Sequence, residues 1–294
     1  MQFRLSLSNA VSGEFKVRAP LIKPSRLTDV SRGGVGKELS TGWVVNFAIG
    51  CTHACPFCYV DNIHKRFFTG KYPETKGEWG TYLLIPEPVS FKKALEETPW
   101  HKWRDELVLM SSTHDPFLPQ LLPYAKAILE TGLKHGVHFL IQTRSLNALQ
   151  LLPILAEYKN QVIFQVSIAT VNETLRRIIE PHVSPAEARL MMLKKAKEHG
   201  LRIGVIIAPI IPPNKLRPSL EQDLDTLMRK LASIGVNQVF GEMLHVRGFN
   251  IKRLEQLLGE RIIINGEVDR WVGSLFEELL KKHGLKGRYW YEYY

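Results

Sequence analysis

All three cysteines of this 294-residue chain, Cys51, Cys55 and Cys58, lie within residues 51–58. Their spacing is C-x3-C-x2-C, with Gly50 directly before the first thiol and Pro56 between the second and the third. An odd number of cysteines in a long chain does not suit a disulfide framework. Three thiols on one short loop instead predict a metal ion or an iron–sulfur cluster.

Zinc and iron–sulfur chemistry are the two alternatives for these thiols. His53 is available as a fourth zinc ligand, but it lies between the thiols on a short loop, and no second Cys/His pair follows at finger spacing. An iron–sulfur cluster normally takes four thiolates, so three leave one iron of a [4Fe–4S] cluster open to a substrate or cofactor. The sequence favours the cluster and keeps zinc as the alternative.

The elements that must position the thiols follow a regular pattern. An apolar run at 42–49 precedes the cysteines, and from residue 107 short apolar runs alternate with longer amphipathic ones. This pattern predicts six strands separated by helices, and hence parallel strands with right-handed crossovers. We expect an α/β fold, a partial (β/α)6 TIM-type barrel, with a doubly wound sheet as the second choice.

The chain divides into three parts at this level. Residues 1–40 are rich in Gly, Pro, Ser and basic residues and predict an irregular arm, residues 41–248 form the barrel, and residues 249–294 form a C-terminal helical extension. Ser184 and Ser219 are predicted helix N-caps, while Gly200 and Gly235 are predicted to follow helix ends.

The net charge of the chain indicates which kind of partner it could bind. The chain has 39 Lys+Arg against 29 Asp+Glu, a formal net charge of +10 and a pI near 9.5. Two explanations of this excess are about equally good: an anionic partner such as a phosphate backbone, or simply a solvated basic surface. No apolar segment of about 18 residues or secretion-signal core is present, so we expect a cytoplasmic protein in a reducing compartment, without membrane spanning.

The cysteine segment GCTHACPFCY, with Tyr59 after the third thiol, resembles the motif of radical S-adenosylmethionine (AdoMet) enzymes. The resemblance implies a [4Fe–4S] cluster on the three thiolates and AdoMet bound to its open iron. It further implies an external one-electron donor such as flavodoxin or ferredoxin. The product is a 5′-deoxyadenosyl radical that takes a hydrogen atom from a C–H bond of the substrate.

Over about residues 40–245 the chain is most similar to the branch of that family that contains spore photoproduct lyase. The matching segments follow in the branch's order: SSTHDPFLP (111–119), IQTRS (141–145), VSIAT (166–170), IIEPH (178–182), Arg189 and APIIPP (208–213). Two positions depart from it. The branch's lyases resemble one another in a further cysteine just upstream of the T-D-P segment, where this chain has Met110, Ser111 and Ser112, and in a tyrosine where it has Phe57. We therefore expect the same scaffold without the spore photoproduct reaction itself.

Polar residues at the ends of the predicted strands are the candidates for cofactor binding, because a β/α barrel builds its site there. They are Ser112, Asp115, Arg144, Ser145, Ser167 and Thr170. Asp115 suits the methionyl group of AdoMet, a cation at Arg144 suits its carboxylate, and Ser167 and Thr170 suit its ribose hydroxyls. The family usually has Lys at the position of Arg144.

Tyr59 and Asp115 are also the candidate catalytic residues, with Tyr59 placed to pack over the adenine. Each candidate also has a structural interpretation. Asp115 before Pro116 is a common turn cap, Ser167 and Thr170 can bond nearby backbone, and Tyr59 can be ordinary core.

The sequence favours a lyase or transferase acting on nucleic acid, in repair or modification. The basic segment HKRFFTGKYPETKGEWG (64–80) and the aromatic tail RYWYEYY (288–294) mix cations with rings on which bases can stack. The alternatives are a radical enzyme acting on a peptide or small molecule, and a non-enzymatic nucleic-acid-binding protein with a structural zinc or iron–sulfur site. The tail can also be a helix end whose aromatic rings close the barrel.

Overall fold

The computed structural model describes residues 11–28 and 36–291. The strands are β1 (Gly13–Phe15), β2 (Ile22–Pro24), β3 (Trp43–Val45), β4 (Ile49–Gly50), β5 (Leu83–Pro86), β6 (Leu107–Met110), β7 (His138–Thr143), β8 (Val162–Ser167), β9 (Arg202–Ile210), β10 (Gln238–Met243) and β11 (Gly287–Trp290). The helices are α1 (Val60–Phe67), α2 (Pro88–Glu97), α3 (Leu122–Lys134), α4 (Leu152–Glu157), α5 (Glu173–Ile179), α6 (Ala186–Glu198), α7 (Leu220–Ile234), α8 (Asn250–Leu258) and α9 (Gly266–Lys282).

One large sheet has the strand order β11-β10-β9-β8-β7-β6-β3-β2. Every pair from β3 to β11 is parallel, and only the pairing of β2 with β3 is antiparallel within this sheet. The six predicted strands are β3, β6, β7, β8, β9 and β10. Since β2 and β11 lie at opposite ends of the strand order, the described sheet is open, and the predicted partial α/β barrel is confirmed.

Side chains on the two faces of the sheet belong to two layers of core, as period-two alternation requires. Val108, Phe139 and Ile141 belong to the main core, which also contains the helices. The intervening Leu109 and Leu140 join Phe240 in a second cluster on the other face of the sheet. Burial on both faces explains why the strands read as continuous apolar runs in the sequence.

Three of the four predicted helix-end residues lie where the sequence placed them. The Ser219 hydroxyl accepts a hydrogen bond from the Gln222 amide at 3.1 Å and caps α7, which ends at Gly235 in a left-handed conformation. Gly200, after α6, is left-handed too, with φ of 80°. The prediction that Ser184 caps α6 is wrong, because Pro185 stays extended and is itself the residue before the first helical position.

The last segment of the chain differs from the predicted helix end. The two helical patterns of the extension form α8 and α9, but residues 287–290 form β11, a parallel neighbour of β10. Tyr289 and Trp290 are only 3% and 5% exposed, and Trp290 stacks on Phe240 with 4.9 Å between ring centroids. The idea that these two rings stack bases is therefore wrong, while residues 292–294 of the tail lie outside the described residues.

The N-terminal arm also contributes to the sheets. Its strand β2 pairs with β3, and β1 joins β5 and β4 in a small second sheet. Residues 1–10 and 29–35 of the predicted arm lie outside the described residues, and the boundaries at residues 40 and 248 stay predictions. Among the described helices, none is both long and apolar enough to cross a membrane.

Candidate active site

The cysteine loop begins with a turn that requires glycine. Gly50 ends β4 with φ of 99°, and a Cβ at this position would lie 2.2 Å from the carbonyl oxygen of Tyr82. Backbone hydrogen bonds from Ala54 to Cys51 (3.4 Å) and from Cys58 to Cys55 (3.0 Å) then fold the loop into successive turns. Helix α1 starts at Val60, so the third thiol lies directly before a helix N-terminus.

The three thiols line one cavity of about 350 Å³, a volume typical of small-molecule sites. None is in a disulfide; Cys51 and Cys55 are buried, and Cys58 is half-buried. Burial raises the pKa of Cys51 to about 12 and that of Cys58 to about 11. Their thiolates therefore need positive charge from the group that they bind, as an iron–sulfur cluster provides.

Asp115 joins the cysteine loop to the ends of two strands. Its carboxylate accepts hydrogen bonds from His53 Nε2 (3.1 Å), the Thr143 hydroxyl (2.8 Å) and the backbone amides of Arg144 (2.6 Å) and Phe117 (2.9 Å). Burial alone raises the pKa of a carboxyl group, but these donors outweigh it and hold the pKa of Asp115 at about 2. Asp115 is thus an ionised anchor as well as a turn cap.

Arg144 belongs to a chain of alternating charges at the wall of the cavity. Its Nε lies 3.0 Å from Glu180 Oε1, and Nη2 donates to the carbonyl of Ala208 at 2.9 Å. Glu180 is fully buried and is paired on its other side with the fully buried Arg189. Burial raises the pKa of Glu180, but the two guanidinium groups prevail and lower it. The three side chains together carry one net positive charge beside the thiols.

Tyr59, directly before α1, and Ser112, just after β6, both line the cavity and are hydrogen-bonded to each other. The Tyr59 hydroxyl donates to the Ser112 carbonyl at 2.9 Å, and Asn46 accepts a hydrogen bond from the Ser112 amide at 2.9 Å. Burial raises the pKa of Tyr59, so its phenol stays protonated near neutral pH. Ser167, at the end of β8, is buried and lines the same cavity.

Two of the predicted cofactor-binding residues do not line the cavity. The Ser145 hydroxyl donates to the Phe117 carbonyl at 2.8 Å and accepts from the Asn147 amide, so it caps the turn after β7. The Thr170 hydroxyl donates to Asp223 at 2.7 Å. The Thr170 hydroxyl also accepts from the nearby Asn172 amide at 3.0 Å, so the hydroxyl groups of Ser145 and Thr170 are both engaged outside the cavity.

The structure adds residues to the cavity wall that the sequence interpretation missed. They are His53, which the sequence suggested only as a zinc ligand, His114 after β6, Glu242 in β10, His245 and Arg247 after β10, and Trp290 in β11. Burial lowers the pKa of His114 to about 3, and within the described part of the chain its Nε2 atom has no hydrogen-bond partner. His53 and His114 lie in segments that the sequence analysis had already singled out, whereas the other four residues depend on the course of β10 and β11.

Comparison with known proteins gives the class that this fold and site define. A sequence profile of the radical SAM superfamily matches residues 45–225, well over half of the chain. The chain therefore belongs to the radical SAM superfamily. This family uses a [4Fe–4S] cluster and AdoMet, and the thiols, their cavity and the neighbouring net positive charge fit that pair of groups.

Individual relatives refine the comparison. An uncharacterized protein of Acidianus two-tailed virus, ORF301, is 56% identical over 281 residues, which cover 95% of this chain and 93% of the relative. The uncharacterized protein Rv2578c of Mycobacterium tuberculosis is 29% identical over 210 residues, which cover 70% of this chain and 59% of the relative.

Solved structures share the fold. A spore photoproduct lyase variant with bound AdoMet and dinucleoside spore photoproduct has a TM-score of 0.65 at 15% identity, covering 95% of this chain and 81% of that chain. SuiB of Streptococcus suis bound to AdoMet has a TM-score of 0.55 at 11% identity, covering 85% of this chain and 49% of that chain. The fold is thus similar to that of spore photoproduct lyase.

Proposed function

We propose that this radical SAM enzyme cleaves AdoMet reductively at a cluster held by Cys51, Cys55 and Cys58, and then abstracts a hydrogen atom from nucleic acid. The observation that carries the proposal is the convergence of all three thiols on one cavity with polar strand ends. When bound, the cluster and AdoMet supply a 5′-deoxyadenosyl radical. An external one-electron donor, such as flavodoxin or ferredoxin, supplies the electron.

The residues of this chain bind and orient the cofactor. Arg144 offers a cation held in place by Glu180, which suits the carboxylate of AdoMet. Ser112 and Ser167 offer hydroxyl groups on two sides of the cavity. Asp115 is fully engaged by donors, so its role is to hold the cysteine loop against the β6 and β7 ends rather than to transfer a proton.

Nucleic acid is the substrate class that the surface supports best. The net charge is +10, and the segment after the thiols exposes Lys65, Arg66 and Lys71. The similar fold of spore photoproduct lyase, a protein solved with a dinucleoside substrate, supports the same class. The proposed reaction differs from that of the lyase, because all three cysteines of this chain are assigned to the cluster and none lies just upstream of the segment 111–119.

A turnover assay tests the substrate class. Reconstituted, anaerobically reduced enzyme is given AdoMet with single-stranded DNA, duplex DNA or RNA, each deuterated at its sugar and base carbons. We expect one of these to raise 5′-deoxyadenosine formation and to transfer deuterium into it. If a peptide or metabolite pool does so and nucleic acids of every form do not, the substrate class is wrong.

A further inference from the structure

Two exposed phenylalanines lie on segments that also contribute to the cavity wall, each with a cation over its ring. Phe67, at the end of α1, is 68% exposed, and the Arg66 guanidinium lies 5.2 Å from its ring centroid. Phe249, just before α8, is 66% exposed, and the Lys252 ammonium lies 5.8 Å from its ring centroid. An exposed aromatic ring beside a cation offers a nucleic acid both a stacking surface and a phosphate contact.

The segments that carry these two pairs are in contact with each other. A Cβ on Gly248 would lie 2.8 Å from Asn62 of α1, and the Asn250 side chain donates to the Phe57 carbonyl at 2.9 Å. Lys65 and Arg253, one from each segment, both pair with the buried carboxylate of Asp61. The two segments are therefore neighbours, and we call Lys65, Arg66, Phe67, Arg247, Phe249 and Lys252 the basic–aromatic rim.

The charge of this rim has one sign. Within residues 60–69 and 245–253 the one carboxylate is that of Asp61, which is 3% exposed and already paired, while Lys65, Arg66, Arg247 and Lys252 are exposed. Arg247 also lines the cavity, so the rim runs from open surface to the mouth of the site. A polyanion bound at Arg247 would therefore lie beside the cavity.

We propose that the basic–aromatic rim binds a single-stranded polynucleotide, with unpaired bases stacked on Phe67 and Phe249 and the phosphates on the flanking cations. Stacking on exposed rings requires bases that are not paired, which favours a single strand over a duplex. The inference rests on the proposed function, since it supplies the surface by which that substrate reaches the cavity.

Binding by the reconstituted protein to fluorescent oligothymidine, followed by anisotropy, tests the role of the rings. Phe67→Ala and Phe249→Ala are each expected to weaken single-strand binding roughly tenfold, because each removes one stacking platform. Trp271→Ala, which removes a 47% exposed ring from α9, is the matched control and should bind like the unaltered protein. A double Phe67→Ala, Phe249→Ala protein that binds like the unaltered one would overturn the proposal.

The salt dependence tests the cations separately. Arg66→Ala and Lys252→Ala should each reduce the slope of log affinity against log salt by about 0.7, the share of one phosphate contact on a single strand. Lys194→Ala and Lys195→Ala, which remove exposed cations from α6, should leave the slope unchanged. Equal slopes for both pairs of variants would mean that the polynucleotide lies elsewhere.

The reductant separates this proposal from two other outcomes. If the rim variants bind oligothymidine normally but lose AdoMet cleavage with flavodoxin while keeping it with dithionite, the rim is a docking surface for an electron donor, and the proposal is wrong. If they bind normally and polynucleotide still stimulates turnover, the rim is wrong and the proposed function stands. If the unaltered protein neither binds polynucleotide nor responds to it, both fail.

Discussion

Asp115 contributes at the scale of single residues by joining elements that the sequence separates. One buried carboxylate holds His53 of the cysteine loop, Thr143 at the end of β7 and the amides of Arg144 and Phe117. Its pKa, lowered from 3.8 to about 2, means that this stabilisation is complete above about pH 4 and is lost as the pH falls through 2. Near neutral pH the group does not titrate.

The Asp115→Asn variant tests the anchoring role. An amide offers one acceptor oxygen and places an NH2 group against donors, so we expect a loss of about 1–3 kcal/mol in the free energy of unfolding. AdoMet affinity should fall with it, because the loop and the strand ends lose their common partner. Urea unfolding at pH 7 and AdoMet titration measure the two effects. Unchanged stability would show that the four donors find other partners.

Substitutions of Arg144 test whether its guanidinium binds AdoMet or only neutralises the buried carboxylate of Glu180. Arg144→Ala should weaken AdoMet binding by about 1.5–3 kcal/mol, the range of a charge-assisted hydrogen bond. Arg144→Lys is the matched control, because it keeps the positive charge beside Glu180 and restores the residue usual in the family. Equilibrium binding of AdoMet to reconstituted protein measures both. Equal affinity of the Ala variant and the unaltered protein would place the carboxylate of AdoMet elsewhere.

At the scale of elements, the apolar pattern of the sequence predicted the barrel strands but did not predict the edge strand β11. Polar residues end or directly follow the apolar runs of β6, β7 and β8, so both these strands and the position of Asp115 and Arg144 at their ends followed from the sequence. The segment 287–290 carries the same aromatic pattern whether it ends a helix or forms an edge strand. Only its pairing with β10 decides between them.

The same limit explains why some of the predicted site residues line the cavity and others do not. A polar residue at a strand end can turn into the cavity, as Ser167 does, or toward a neighbouring loop, as Thr170 does toward Asp223. The choice depends on a partner 53 residues away, and spacing carries no information about it. Glu242 and Trp290 were missed for a related reason, since they reach the cavity through β10 and β11.

Trp290 gives a prediction for the added strand. Trp290→Ala should lower the free energy of unfolding by about 3–5 kcal/mol, because it empties the space stacked on Phe240 and opens one wall of the cavity. Trp271→Ala, at an exposed position on α9, should cost well under 1 kcal/mol. Thermal or urea unfolding measures both. A similar small loss in the two variants would mean that β11 is not part of the stable sheet.

At the scale of the whole molecule, the open sheet brings four of the six predicted cofactor-binding residues to one cavity: Ser112, Asp115, Arg144 and Ser167. The parallel strands all end toward the cysteine loop, so one cavity collects groups from β6, β7, β8 and β10. The first and last parts of the chain add β2 and β11 at the two ends of the same sheet. Arg247, in the segment before α8, lines the cavity, and this segment contacts α1, which carries the exposed cations Lys65 and Arg66.

The central claim is that three thiols on one loop support AdoMet cleavage, and 5′-deoxyadenosine formation measures it most directly. Unaltered protein, reconstituted and reduced without oxygen, should convert AdoMet to 5′-deoxyadenosine and methionine. The Cys55→Ala protein should form none while its circular dichroism shows the same barrel. Cleavage at the unaltered rate by the Cys55→Ala protein would contradict the account.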